Sequence, residues 1–137
     1  MKWKILFFVL SCVAFNQGSP WSYQGPTGPD HWQGVCQRGN RQSPIDLQEE
    51  IFDSGLEPVD FRNYHLTLQT VNITNNGHTV KLQIPDTISA DIVLEADTFQ
   101  LAQIHFHWGD DSLYGSEHVL RGQAFPMEMH LVHHNTK

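Results

Sequence analysis

The chain has 137 residues, with 39% hydrophobic and 17% charged residues and a net charge of −7. That balance argues against a disordered or fibrous chain and against a nucleic-acid partner, which would call for a basic surface. Its length suits one domain, and ten glycines and seven prolines favour a loop-rich one.

The chain opens with Lys2 and Lys4, the apolar run Ile5 to Leu10, the small residues Ser11 to Ala14 and then polar Asn16-Gln17-Gly18. A basic front followed by a short apolar run predicts a secretory signal over residues 1–18, cleaved after Ala14 or Gly18. The run is too short to span a bilayer, so no membrane span is expected in the mature part, residues 19–137. Losing Lys2 and Lys4 leaves six basic against 15 acidic residues, a net charge of −9. A secreted or extracellular chain follows, with anchoring by further residues left open. Cys36 is then alone in the mature part, either free or with its partner missing. Asn72-Ile73-Thr74 is an N-glycosylation sequon, usable on the secretory route.

Residues 19–44 hold Gly, Pro, Trp and Gln without a period, which predicts an irregular segment laid over a core. Leu66 and Leu68, then Val71 and Ile73, alternate in two stretches joined by a change of phase. Val80, Leu82 and Ile84 alternate with polar residues up to Pro85. Between them, Asn75-Asn76-Gly77-His78 predicts a tight turn. Further strands are expected at 92–95, 100–108, 118–121 and 127–134. No amphipathic helix stands out, so the reading is a mainly β, mostly antiparallel sheet.

The chemistry concentrates on the last long strands. From Leu101 to Trp108, Ala102, Ile104, Phe106 and Trp108 take one face, and Gln103, His105 and His107 the other. His105 and His107 can therefore aim at one point above the sheet. In Glu128-Met129-His130-Leu131-Val132, His130 shares a face with Glu128 and Val132, and a suitable register would bring it beside the first pair. Three neutral imidazoles suit a zinc ion with one open position. Gln103 and Glu128, each two places before a histidine, can take the hydrogen bond from a ligand's other ring nitrogen. Nine histidines cannot all be ligands, and His31, His65, His133 and His134 are expected to have no metal role.

Six segments in order carry a resemblance: Gly28-Pro29-Asp30-His31-Trp32, Arg41-Gln42-Ser43-Pro44-Ile45-Asp46-Leu47, Asn75-Asn76-Gly77-His78, Gln103-Ile104-His105-Phe106-His107-Trp108-Gly109, Gly115-Ser116-Glu117-His118 and Glu128-Met129-His130-Leu131-Val132-His133. Together they resemble the landmarks of the alpha carbonic anhydrases, and they cover nearly all of residues 21–137. The resemblance implies a fold built on a large, mostly antiparallel twisted sheet, with Zn2+ on His105, His107 and His130 and carbon dioxide and bicarbonate as substrates. Zinc would acidify a bound water into the neutral range, a property known for this enzyme class rather than read from these residues.

The resemblance also implies that His78 carries protons out of the site. Glu117 would orient the reacting water through a threonine, and Asn76 and Tyr23 would join a polar network. Ser43-Pro44 matches a cis-proline turn. The secreted members offer Cys36 a partner cysteine later in the domain, beyond this chain. The family domain is roughly twice as long, so the chain is expected to be its N-terminal part, incomplete and not a competent hydratase alone. The alternatives are a non-catalytic carbonic-anhydrase-related binding protein, an extracellular matrix protein or an inactive truncated product. Loss of a zinc histidine is usual in the first, and all three are here.

Overall fold

The computed structural model describes residues 21–68 and 70–137. The expected signal segment, 1–18, lies outside the described residues.

Two 3-10 turns, Gly25–Thr27 and Pro29–His31, and one short helix, α1 (Val35–Arg38), make up the irregular N-terminal segment. Proline sits early in each 3-10 turn, where its fixed φ suits the backbone and its missing N–H costs nothing. The chain then runs through β1 (Asp46–Leu47), β2 (Asp60–Arg62), β3 (Asn72–Asn75), β4 (Val80–Gln83), β5 (Asp91–Leu94), β6 (Asp97–Trp108), β7 (Val119–Leu120) and β8 (Met127–Asn135). Six of the strands form one antiparallel sheet in the order β2-β5-β6-β4-β3, with β8 paired to β6. The Ser43–Pro44 peptide is cis.

Two expectations change. No strand forms at Leu66 and Leu68: the Leu66 amide closes a turn onto the Asn63 carbonyl, and Leu68 packs on the core as loop. The strand expected over 118–121 contracts to β7, which pairs in parallel with β1 in a small separate sheet. Neither β1 nor β2 carries enough alternation in two or three residues to be read from sequence.

The β3–β4 hairpin forms where expected. Gly77 takes φ 87°, a conformation that would strain a side-chain-bearing residue. The Asn75 and Asn76 carboxamide oxygens accept backbone N–H bonds from Gly77, His78 and Thr79, which holds the loop open at its tip.

The core is small and lies on one face of the sheet. Ile84, Ala90 and Leu101 are buried, with Tyr64, Leu68, Val71, Ile88, Ile104 and Leu131 packed around them. Strict alternation would put Leu101 on the histidine face. Instead, Leu101 pairs with His133 and Gln103 with Val132, so Ala102 is an extra residue on β6. That bulge changes the phase of the strand: Leu101 enters the core while Gln103, His105 and His107 stay on the opposite face. The apolar face continues beyond the core to Trp108, Met127 and Met129, each at least half exposed.

Candidate metal centre

The register across β6 and β8 sets His105 directly opposite His130 and His107 opposite Glu128. Ligand atoms of His105, His107 and His130 all lie within 4.8 Å of one another. The rings crowd edge-on or tilted, with centroids 4.6 to 5.1 Å apart. Three ring nitrogens, Nδ1 of His105, Nε2 of His107 and Nδ1 of His130, are buried and have no hydrogen-bond partner. Unsatisfied buried polar atoms are costly unless something fills the space beside them, and three imidazoles with ligand atoms this close together fit a zinc ion.

Burial favours the neutral form of His105 and His107. Burial pushes the His105 pKa down to about 4, helped by His130 and His107 and by Lys81 and opposed by Glu117. Burial also lowers that of His107, against the pull of Glu117. A neutral imidazole is the form that can ligate a cation.

Glu128 orients the third ring. Its Oε1 lies 2.6 Å from Nε2 of His130 and 2.6 Å from Nδ1 of His118. A carboxylate only accepts, so both rings donate, and His130 is left with its lone pair on Nδ1, the nitrogen facing the cluster. Oε2 of Glu128 accepts the backbone N–H groups of Glu117 and His118, each at 2.8 Å. Burial alone would raise the Glu128 pKa, but these bonds and the neighbouring rings outweigh it and hold it at about 2. A close backbone approach makes this possible: a Cβ on Gly115 would collide with the Pro126 carbonyl, so only glycine lets the 115–118 loop lie against the start of β8.

Other expected site residues fall nearby in different ways. Glu117 Oε1 accepts the Tyr23 hydroxyl at 2.7 Å, and its Oε2 is 3.3 Å from Nε2 of His107 and 3.8 Å from Nε2 of His130. The His107 approach lacks hydrogen-bond geometry, and that nitrogen stays without a hydrogen-bond partner. Burial first, then Glu117, raises the Tyr23 pKa and keeps the phenol protonated. Among the described residues no hydrogen bond joins Gln103 to His105, and the Asn76 carboxamide caps its own turn. His78 sits exposed at the hairpin tip, its ring stacked on Trp21 at 4.1 Å and 12°.

Cys36 lies in α1 and is not a free thiol. Asn72 is exposed on β3, an end strand of the sheet. Of the histidines expected to have no metal role, His133 bonds the Tyr64 hydroxyl and the Leu131 carbonyl. Sequence reasoning gave no role to His118 or Trp21; a contact spanning ten residues, or 57, leaves no local period to find.

Comparison with known proteins agrees with this geometry. The profile of the eukaryotic-type carbonic anhydrase family matches residues 27–137. The chain belongs to the carbonic anhydrase family. It is 39% identical over 127 residues to carbonic anhydrase 12 of Homo sapiens, covering 87% of this chain and 35% of that protein. It is 38% identical over 125 residues to carbonic anhydrase 7 of Homo sapiens, covering 85% and 46%. A carbonic anhydrase of Klebsiella pneumoniae is 36% identical, with 87% and 47% covered. The chain thus spans about a third to a half of the length of these relatives. The alpha-class fold, in partial form, is what the antiparallel sheet represents, and the family is one of zinc-using lyases acting on carbon dioxide and bicarbonate.

Proposed function

We propose that His105, His107 and His130 hold zinc, and that the carbonic anhydrase domain to which these residues belong hydrates carbon dioxide reversibly to bicarbonate and a proton. The observation that carries this reading is that His105, His107 and His130 bring ligand atoms within 4.8 Å of one another, while each ring keeps one buried nitrogen without a hydrogen-bond partner. Zinc held there would supply Lewis acidity toward water at neutral pH.

The chain's own residues do the rest. Glu128 keeps the His130 proton on Nε2, which fixes the tautomer that can ligate. Glu117, already accepting from Tyr23, brings an acceptor oxygen to the edge of the histidine cluster, where a reacting water could be oriented. His78, exposed at the hairpin tip and stacked on Trp21, can take a proton on a ring nitrogen and pass it to buffer. Secretion is inferred from the basic-then-apolar leader alone, and a bridge from Cys36 to a later cysteine from the family resemblance.

The test is to replace each histidine by Ala and measure zinc by elemental analysis alongside carbon dioxide hydration by stopped flow. Zinc content should collapse in all three variants, and hydration should fall with it wherever the parent protein shows it. Full zinc occupancy in all three would overturn the assignment.

A further inference from the structure

The register places an unassigned cation next to the candidate metal centre. Lys81 on β4 is the direct partner of His105 on β6, and His105 is the direct partner of His130 on β8. On the other side Lys81 pairs with Thr74 of β3. Directly opposed residues share a face of the sheet, with Cβ atoms about 4.5–5.5 Å apart. Thr74, Lys81, His105 and His130 therefore form one row across four strands, with the Lys81 stem beside the ring of His105.

Lys81 is half-buried, and among the described residues it forms no ion pair. The two carboxylates of the site are committed elsewhere, Glu117 to Tyr23 and Glu128 to His118, His130 and two backbone amides. In the next row on the same face stand two amides, Gln83 and Gln103, and the first of them donates to the Ala102 carbonyl. A half-buried lysine whose neighbours along the face are an imidazole and two carboxamides can be completed by a small anion.

We propose that Lys81 makes the histidine face an anion subsite and holds bicarbonate beside His105. This rests on the reading of the face as a carbonic anhydrase site and adds a residue that recognises the charged partner of the reaction. The ammonium contributes a charge-assisted hydrogen bond to a bicarbonate oxygen. Carbon dioxide carries no charge and gains nothing from it. The effect is confined to the face, since the whole chain is acidic and gives no long-range steering of anions.

The experiment titrates bicarbonate at pH 8 into the zinc-loaded and the metal-free chain, following the amide shifts of β4 and β6 by NMR. Lys81→Gln and Lys81→Met should weaken bicarbonate roughly three- to tenfold, the range expected for losing one partly screened charged bond. Lys81→Arg should keep affinity within about twofold, because the charge and a donor remain. Undiminished affinity in both neutral variants, or no bicarbonate shift in either form of the parent chain, would overturn the proposal. Zinc content of the same samples separates the two readings. A chain that takes up no zinc but binds bicarbonate through Lys81 overturns the metal assignment and leaves the anion subsite standing.

Discussion

Glu128 and His130 meet at 2.6 Å, carboxylate oxygen to ring Nε2, and this contact decides which nitrogen of His130 faces the other two histidines. Removing the charge should loosen the metal centre without removing a ligand. In Glu128→Gln the amide can replace only one oxygen; whichever way it turns, an NH2 group faces donors, either two backbone N–H groups or two imidazoles. Zinc affinity is expected to fall about 10- to 100-fold. Competition against a chelating dye measures it, and an unchanged affinity would remove Glu128 from the centre.

Acid should destabilise the metal-free chain in two stages. His105 titrates near 4 in the folded state against 6.5 ordinarily, so its neutral form contributes stability above pH 6.5 that is lost as pH falls toward 4. Glu128 titrates near 2 against 4.5, so its ionised form contributes above pH 4.5 and is lost as pH falls toward 2. Both changes have the same sign. Thermal melts by circular dichroism should give a Tm that drops from pH 7.5 to 4 and drops again below 4.5, the lower stage being blunted in Glu128→Gln. A Tm that is flat or rises between pH 7.5 and 5 would contradict the burial of neutral His105.

His78→Ala should leave zinc in place, because His78 is stacked on Trp21 at the hairpin tip rather than turned into the histidine cluster. In a protein that hydrates carbon dioxide, turnover should slow roughly 10-fold or more at low buffer, the scale of a lost general acid–base step. Added imidazole should restore part of it. Unchanged turnover at low buffer would reduce His78 to a turn residue.

Asn72 should carry an N-linked glycan when the chain is made in a eukaryotic secretory system. The sequon lies on an exposed end strand, where a glycan meets no packing. Peptide mapping after glycosidase treatment should show conversion of Asn72 to Asp, lost in Thr74→Ala and kept in Thr74→Ser. An exported chain with unmodified Asn72 would disprove the site, and a retained chain would disprove the leader.

The sequence by itself determined faces. Period-two alternation put His105 and His107 together and placed Glu128 with His130, because side-chain direction along a strand depends only on local backbone geometry, and the Asn-Gly pair marked the hairpin at Asn75 to His78. The six ordered segments identified the family for the same reason: they are contiguous in the chain. Register and long-range contact were decided only by the tertiary structure. The bulge at Ala102 sends Leu101 into the core while leaving His105 opposite His130, and no single-strand pattern shows where a pairing slips. His118 reaches Glu128, Trp21 reaches His78 and Lys81 stands beside His105 because separate strands and loops are folded against one another. Local periodicity fixes which way a side chain points, and only the packing of distant segments fixes what it meets there.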